Sequence, residues 1–363
     1  MVPAPYLIKL ITAKTKRFKL LSNQGRNIFY KKDPIRPWFK VLEGMGEFTK
    51  IRYGRIPHDK LGQQQEPIWI YRNHQFFDGV GGFVDVLREL DIPYDSTNIP
   101  STSHDSKSSW WPFVRAIPKL IFAKRQRLDF LPPILSSNQS LAESLAIAEA
   151  PEAVAWHVFS ESKTSDIVKQ SKLLGVTVNT LLIHTLDQTI RESLKDKQDV
   201  TTWMLPINLR GLVSMQKETM NHSSCINIQI NSGDSFDDTH KTIYSAIEKK
   251  QHWLNWKGYI AGRWISKKQK RKLLIKDKAM SQWNIGCFSN LGVWDSDKKL
   301  NALDTWYFTP PVLECQRIGV GCITFQNKLS LTMQLHPLLS VSPKVARSWI
   351  SDWVKRINIS ISK

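Results

Sequence analysis

A single stretch decides the fold: Trp69-Ile-Tyr-Arg-Asn-His-Gln-Phe-Phe-Asp-Gly-Val-Gly-Gly-Phe83. Its first part, residues 69–71, has the aromatic and β-branched character of a buried strand. From Phe83 onward, apolar residues recur at steps of three and four, which is typical of an amphipathic helix. We therefore predict a strand, a loop and a helix, and the loop carries His74 and Asp78.

This loop is a candidate site of chemistry, because rigid elements on both sides hold it while it exposes its side chains. His74 is the candidate general base, since an imidazole titrates near neutral pH and takes a proton from a hydroxyl or an amine. Asp78, four residues on, is expected to turn away from the imidazole and pair with a distant cation. Gly79 and Gly81 allow close approach of the backbone where the helix begins, and the N–H groups there favour developing negative charge.

Arg210 is the cation that we expect to meet Asp78. It lies between two predicted adjacent strands, residues 204–207 and 225–230. A guanidinium fork matches a carboxylate in a bidentate manner. We therefore predict that Arg210 pairs with Asp78 and locks the loop, and the alternative is that Arg210 is an ordinary surface cation.

Four segments together resemble the chloramphenicol-acetyltransferase-like superfamily, which includes condensation domains and wax ester synthase/diacylglycerol acyltransferases. The segment Asn73-His-Gln-Phe-Phe-Asp-Gly79 resembles its His-His-x-x-x-Asp-Gly motif. Leu174-Gly-Val-Thr-Val-Asn-Thr-Leu-Leu182 is similar to the start of a helix in the second half of that superfamily. Leu205-Pro-Ile-Asn-Leu-Arg-Gly211 and Ser289-Asn-Leu-Gly292 are similar to two segments of the wax-synthase branch, Pro-x-Asn-Leu-Arg and Ser-Asn-x-x-Gly. That branch is therefore the nearest one.

The chain departs from the family pattern at two points. Asn73 stands where the motif has its first histidine, and His74 comes early in the chain, as if the usual N-terminal elements were shortened. If the first motif histidine chiefly packs and hydrogen-bonds, an asparagine serves in its place. If it does more, the chain is a non-catalytic, condensation-type relative that binds a carrier protein or a lipid.

The resemblance implies an α/β fold of two chloramphenicol-acetyltransferase-like mixed-sheet domains that meet at a central tunnel, with His74 at its middle. Residues 1–150 would form the N-terminal half, which carries the His-x-x-x-Asp-Gly loop. Residues 151–363 would form the C-terminal half. A crossover segment near 284–330 would complete the sheet of the first half.

The implied activity is acyl transfer from a thioester to a hydroxyl or amine acceptor, with His74 as the general base. The thioester would be carried by coenzyme A or by the phosphopantetheine arm of an acyl carrier protein, as a co-substrate and not as a bound cofactor. No metal is expected, because the nine histidines show no ligand spacing. Candidates for stabilising the tetrahedral oxygen or lining the tunnel are the Gly79 amide, Asn73, Asn208, Ser289 and Asn290.

Composition limits the class of protein. The 363 residues, 41% of them hydrophobic, and a mean hydropathy of -0.31 describe a globular chain that can bury a large core. The sequence has no run of 18 or more apolar residues, and Tyr6-Leu-Ile-Lys-Leu-Ile11 is too short and too charged for a signal peptide. Four cysteines without zinc-type spacing are expected to be reduced. We expect a cytoplasmic monomer, with a peripheral position on the inner face of a membrane as the further alternative.

The charge is strongly basic, since 51 Lys and Arg residues against 32 Asp and Glu residues give +19. Such a chain attracts nucleic acid, anionic lipid, acidic carrier proteins or the phosphates of coenzyme A. Residues 110–127 and 250–278 combine basic and aromatic side chains, and Trp253, Trp256 and Trp264 are predicted on one helical face. We interpret the second stretch as a surface that docks on an anionic membrane or a carrier protein, and a solvated basic face beside a core helix is the alternative. Both stretches favour a long-chain acyl group and a lipid-like acceptor, whereas nucleic-acid binding has no motif in its support.

The remaining pattern predicts further elements. They are a strand within Phe39–Tyr53, an interdomain linker at 131–151, a helix from about Ser165 that ends near Gly175, a second helix capped by Thr177, a strand at 284–288, a hairpin over 317–335 that turns at Gln326-Asn327, and a last helix over 343–356.

Overall fold

A computed structural model describes residues 33–57, 66–95, 99, 154–194, 199–213, 215–280, 284–294, 304–340 and 343–362. Its helices are α1 (Arg36–Glu43), α2 (Gly79–Glu89), α3 (Glu161–Leu173), α4 (Val178–Arg191), α5 (Phe236–Glu248), α6 (Gln251–Ala261), α7 (Lys267–Met280) and α8 (Pro343–Ile361). Its strands are β1 (Lys50–Ile56), β2 (Ile68–Asn73), β3 (Val154–Val158), β4 (Val200–Asn208), β5 (Ser223–Asn231), β6 (Gly286–Trp294), β7 (Thr305–Thr309), β8 (Ile318–Phe325) and β9 (Lys328–Leu335).

These strands form two sheets. The smaller sheet has the order β2-β1-β7 and is antiparallel. The larger sheet has the order β3-β9-β8-β6-β4-β5, in which β6 runs parallel to both of its neighbours. Within the segment near 284–330, β7 lies in the smaller sheet, whereas β6 and β8 belong to the larger one. The second half of the chain therefore supplies a strand to the sheet that carries the His74 loop.

The stretch from Trp69 to Phe83 folds as a strand, a turn and a helix, as its pattern predicts. β2 pairs with β1 up to Asn73, which lies opposite Lys50. Asp78 then adopts an extended conformation, and its side chain accepts a hydrogen bond from Gly81 N at 2.7 Å, which is an N-cap of α2. The apolar side of α2 packs where the two sheets meet, with the Phe83 ring edge-on to Trp306 of β7 and to Trp294 at the end of β6.

The larger sheet carries the main core together with α4 and α8. Thr177 caps α4, as predicted, and Gly175 has a φ of +68°, which ends the preceding segment at the predicted place. Two polar residues of α4 are structural. Asp187 accepts a hydrogen bond from Trp203 Nε1 at 2.8 Å, and His184 Nδ1 lies 2.9 Å from Thr239 Oγ1. The polar residues of this helix thus serve packing.

Phe39 lies in α1 and not in a strand. The strand predicted within 39–53 is confirmed for Ile51 and Tyr53, which lie in β1. The first part of that segment is helical, because Asp33 accepts hydrogen bonds from Ile35 N and Arg36 N, at 2.9 and 3.1 Å, which starts a helix. The strand itself begins later, at Lys50. This correction matters for the site, because it places α1 beside the His74 loop.

Other boundaries shift for local reasons. α3 begins at Glu161, before the predicted Ser165, because Ser160 caps it. β6 runs on to Trp294, and the last helix runs on to Ile361. A 3-10 turn, Gly262–Trp264, interrupts the basic stretch, so the single helical face predicted for its three tryptophans is wrong. The predicted segments 110–127 and 131–151 lie outside the described residues.

The two sheets meet where β7 crosses β8 at Gly321. A Cβ added there would overlap the carbonyl oxygen of Phe308 and approach Thr332 Oγ1 to 2.7 Å. Thr332 Oγ1 also donates a hydrogen bond to that carbonyl, which fixes the crossing strand. Only a residue without a side chain fits this contact.

We expect Gly321→Ala to destabilise the fold by about 1–3 kcal/mol, the usual cost of inserting a methyl group into a packed site. Gly233→Ala is the matched control, because nothing lies within 4 Å of its added Cβ. The measurement is the midpoint of urea unfolding for both variants and the parent. Equal midpoints for the two variants would contradict the crossing contact.

Candidate active site

The His74 ring is held by its own loop and by α1. His74 N donates to Thr49 O at 3.0 Å, which continues the pairing of β1 and β2 by one more bond. Phe76 N donates back to Asn73 O at 2.9 Å and closes the turn. One face of the imidazole stacks on the Phe39 ring, with centroids 4.0 Å apart and an interplanar angle of 14°. The plane of the candidate base is therefore fixed from two directions.

Asn221 assigns the protonation of the His74 ring. Its Nδ2 donates to His74 O at 3.0 Å and lies 3.4 Å from Asp33 Oδ2, so the amide nitrogen faces two acceptors. Its Oδ1 then faces His74 Nδ1 at 3.1 Å. Because an amide oxygen only accepts, Nδ1 carries the hydrogen and the lone pair of the neutral ring lies on Nε2.

The surroundings of His74 favour the neutral ring. Burial lowers the pKa of His74 below its ordinary 6.5, and it outweighs four raising influences. These are the backbone of His74 itself, the charge of Asp78, the Asn221 side chain and the backbone of Phe77. At neutral pH the imidazole thus holds a lone pair that accepts a proton, as a general base must.

Asp78 and Arg210 form the predicted pair. Nη1 and Nη2 of Arg210 donate to Oδ2 and Oδ1 of Asp78 at 2.8 and 2.7 Å, which is a bidentate arrangement. The carboxylate also accepts hydrogen bonds from Gly81 N at 2.7 Å and His222 N at 2.8 Å. Asp78 is 2% exposed and Arg210 is 7% exposed. Two sequence-remote parts of the chain are thus joined by a fully satisfied buried ion pair.

The pKa of Asp78 is lower than that of an ordinary carboxyl. Burial by itself raises it, but the charge and hydrogen bonds of Arg210 and the Gly81 amide lower it by more. A depressed pKa means that the folded state prefers the ionised form. This contribution to stability is fully present above the unfolded pKa of about 3.9, and it is lost as pH falls from there through the lower folded value.

Arg210 also shapes the segment that carries Asn221. Its Nε donates to Glu218 O at 2.9 Å, and its Nη2 donates to Met220 O at 2.9 Å. Met220 directly precedes Asn221, so the guanidinium fixes the backbone from which the amide reaches His74. One cation therefore holds the loop of the base on one side and the partner of the base on the other.

Asn73, at the first position of the motif, ties the loop to α1. Its Nδ2 donates to Glu43 Oε1 at 2.6 Å, and its Oδ1 accepts from Gln75 N at 2.7 Å. Gln75 Nε2 donates to the other carboxylate oxygen of Glu43, and Thr49 Oγ1 donates to Oε1 at 2.8 Å. Both ends of the Asn73 amide are thus used to hold the turn. This places Asn73 in the scaffold of the loop.

The other sequence candidates have different positions. Asn208 Oδ1 accepts hydrogen bonds from N and Nη1 of Arg210, at 3.0 and 3.3 Å, so it supports the arginine. Ser289 is buried on β6. Asn290 Nδ2 donates to Asn179 Oδ1 at 2.6 Å, and its Oδ1 accepts from the Gly292 amide. None of the three hydrogen-bonds to His74 within the part of the chain that the structure describes. Gly79 remains adjacent to Asp78, as the first residue of α2.

Three residues that complete the site were missed from the sequence: Phe39, Glu43 and Asn221. The signal available for Asn221 was the polar pair Asn221-His222, placed between Arg210 and a predicted strand. Phe39 and Glu43 gave no such signal, because the prediction of a strand over that segment hid the helix that carries them.

Comparison with solved structures identifies similar folds. A trichothecene 15-O-acetyltransferase from Fusarium sporotrichioides is 12% identical with a TM-score of 0.54, over 92% of this chain and 75% of that chain. The EpoB NRPS cyclization-docking bidomain from Sorangium cellulosum is 10% identical with a TM-score of 0.50, over 81% and 60%. The epimerization domain from the third module of a tyrocidine synthetase is 13% identical with a TM-score of 0.47, over 81% and 68%. No family model and no curated protein matches the sequence.

The chain has a mixed α/β fold with two sheets, and it shares this fold with the trichothecene acetyltransferase and the EpoB bidomain. This confirms the fold class that the sequence resemblance implied. These comparisons do not test the closer resemblance to the wax ester synthase branch, so it stays a prediction. So does the tunnel between the two halves.

We expect Asp78→Ala and Arg210→Ala each to destabilise the fold by roughly 3–5 kcal/mol, because each leaves a buried charge without its partner. The double variant should lose less than the sum of the two. The exposed pair Asp352 and Lys355, with Nζ 3.0 Å from Oδ1, is the matched control, and its removal should cost about 1 kcal/mol or less. Urea unfolding of the parent, the three variants at Asp78 and Arg210, and the double alanine variant at Asp352 and Lys355 gives these free energies. Simple additivity at Asp78 and Arg210 would show that the two side chains do not act as a pair.

Proposed function

We propose that this protein is an acyltransferase that moves an acyl group from a thioester to a hydroxyl or amine, with His74 as the general base. The observation that carries the proposal is the fixed imidazole. Asn221 keeps the hydrogen on Nδ1, Phe39 holds the plane of the ring, and burial keeps the ring neutral. A neutral histidine held in this way, with its lone pair on Nε2, is suited to accept a proton through Nε2.

The proposed reaction has two proton transfers. Nε2 accepts the proton of the acceptor while the acceptor's oxygen or nitrogen bonds to the thioester carbonyl carbon. The tetrahedral intermediate then collapses and the carbon–sulfur bond breaks. Nε2 returns the proton to the departing thiolate, so the products are an ester or amide and a free thiol. The ring ends the cycle as it began, and no redox step is involved.

The negative charge on the tetrahedral oxygen needs hydrogen-bond donors. Of the candidates from the sequence, the Gly79 amide has the best support. It follows Asp78 directly and opens α2, where the N–H groups and the helix dipole favour an anion. Asn290 Nδ2 already donates to Asn179 Oδ1, which leaves this amide less suited to the task, whereas Asn208 uses its oxygen to hold Arg210. We therefore place Gly79 first among the oxyanion donors.

The substrate class is part of the proposal. The donor is an acyl thioester of coenzyme A or of an acyl carrier protein, as the sequence resemblance implies. The acceptor is lipid-like, which the likeness to the wax-synthase segments and the basic aromatic stretches support. Ester and amide products both fit a histidine base. Mass spectrometry of the products formed from a panel of donors and acceptors would identify the pair.

A second candidate is a non-catalytic binding module of the same fold, which Asn73 at the first motif position favours. The structure weighs against it, because Asn73 completes the Glu43 network and the loop is intact without the motif histidine. An assay of thioester consumption with a panel of acyl donors separates the two candidates. If no thioester in the panel is consumed faster than without protein, the chain is a binding module.

We expect His74→Ala to lower turnover by about 10²–10⁴-fold, which is the usual contribution of a general base. The assay follows thiol release from the thioester in the presence of the acceptor. His240→Ala is the matched control, because His240 contacts Thr180 and has no hydrogen bond with the His74 loop among the described residues. Turnover of His74→Ala equal to that of the control would reject the assignment.

We expect Asn221→Leu to reduce kcat by at least about tenfold while KM changes little, because the ring loses the partner that fixes its tautomer. The Asn221 contact raises the pKa of His74, so its loss should move the acid limb of the pH–rate profile to lower pH. Asn221→Asp should move that limb the other way, since a negative charge favours the imidazolium.

These opposite shifts separate positioning from a general loss of structure. Thermal unfolding of each variant shows whether the fold is retained at the assay temperature. If both variants keep the parent's acid limb, Asn221 has no influence on the catalytic ring.

A further inference from the structure

One face of α7 carries a dense group of exposed cations. It is formed by Lys267, Lys268, Arg271 and Lys272, which lie within an arc of about 140° on the helix. Ile275, which is 50% exposed, projects from the middle of the same arc. We call these five residues, together with Trp264, the α7 face. None of its four cations forms an ion pair with another residue that the structure describes.

Trp264 adds a large apolar group to this surface. It lies in the 3-10 turn just before α7 and is 77% exposed. A tryptophan is rarely left so open, because its ring carries a large apolar area that prefers to leave water. Apolar side chains are thus interleaved with cations and not separated from them.

The surrounding sequence offers no neutralising charge. Between Glu248 and Asp277 the chain contains ten Lys and Arg residues and no Asp or Glu. An ordinary solvated helix face usually mixes both signs, which gives ion pairs along the helix. A single-sign segment of this length produces a local positive potential that attracts an anionic partner.

The α7 face is rigidly connected to the candidate active site. Lys270, on the opposite side of α7, is buried, donates to Ile265 O and lies over the Trp38 ring. Trp38 also packs tightly against Gly262, where a Cβ would overlap its ring. Trp38 precedes Phe39 on α1, and Phe39 stacks on His74. A partner bound to the α7 face therefore lies close, through one short helix, to the proposed base.

We propose that the α7 face docks this protein on the surface of an anionic lipid bilayer. Cations beside exposed Trp and Ile side chains fit the headgroup region, where Lys and Arg meet lipid phosphates and the apolar groups enter the acyl boundary. Within the described residues, no helix is long and apolar enough to cross a bilayer. Docking through the α7 face does not depend on acyl transfer. If the proposed function holds, it would also bring a lipid-like acceptor close to the His74 site.

Charge complementarity and the interleaved apolar groups favour a bilayer over the two other polyanions. A nucleic-acid duplex offers phosphates but no apolar layer for Ile275 and Trp264. An acidic protein would contribute carboxylates in a fixed pattern and would need less exposed apolar area on a helix. A bilayer satisfies both features of the α7 face at once, since anionic headgroups and acyl chains lie within one side-chain length of each other.

The test is flotation of the full-length protein with vesicles of phosphatidylcholine alone or mixed with phosphatidylglycerol. We expect binding only to the mixed vesicles, and its loss at high salt. The double variant Lys267→Glu, Arg271→Glu should bind the mixed vesicles at least tenfold more weakly. Trp264→Ala should bind several-fold more weakly even at low salt, since it removes an apolar contact and no charge.

Helix α3 supplies matched controls. Lys169→Glu with Lys172→Glu reverses the same number of exposed charges, and Leu173→Ala truncates a side chain that is 82% exposed. Both controls should bind like the parent, and thermal unfolding should show that every variant is folded. Thiol release from a water-soluble donor and acceptor should be equal in the α7 variants and the controls, so that docking and chemistry are measured separately.

Three results would overturn the proposal. The first is that the parent does not bind mixed vesicles at low salt. The second is that the α7 and α3 charge reversals weaken binding equally, which would reflect net charge alone. The third is that a single-stranded oligonucleotide binds more tightly than the mixed vesicles and depends on the same cations, which would make the α7 face a nucleic-acid surface.

Discussion

The buried pair of Asp78 and Arg210 is the interaction on which the candidate site depends. A carboxylate and a guanidinium removed from water are stable together only if every lone pair and every N–H is satisfied. Here two backbone amides complete the carboxylate, and two backbone carbonyls complete the guanidinium. Because the carboxylate caps α2 and the guanidinium holds the backbone before Asn221, one pair positions both His74 and its partner. The pair thus acts on His74 through geometry.

The sequence predicted those parts of the fold that depend on local chemistry. The strand, turn and helix around His74 follow from periodicity, and the hairpin turn at Gln326-Asn327 has the positive φ values that asparagine tolerates. The Asp78 and Arg210 pair was also predictable, because a carboxylate in a glycine-rich turn needs a counter-charge. Phe39 was not, because the helix that Asp33 starts before the predicted strand was missed. Asn221 was not, because its contact with His74 joins residues 147 apart and arises from packing alone.

Asn73 has a structural task in the His74 loop. An asparagine amide offers one donor group and one acceptor, and both are used here, towards Glu43 and towards the Gln75 amide. Glu43 lies at the end of α1, and Phe39, four residues before it, faces the imidazole from the same helix. The loop and α1 therefore hold one another. A shift of α1 would therefore move Glu43, which holds the turn, and Phe39, which stacks on the ring, together.

The pair of Asp78 and Arg210 influences the charge of His74 only weakly, but it strongly influences the position of the ring. The Asp78 charge raises the pKa of His74, yet burial still lowers that pKa overall. Arg210 places a positive charge 2.7 Å from the Asp78 carboxylate, so the pair as a unit attracts a protonated His74 ring only weakly. A site that needed a stronger base would leave the carboxylate uncompensated. This one keeps the ring neutral and in place, and in the proposed reaction proton transfer would then depend on the alignment of Nε2 with the acceptor.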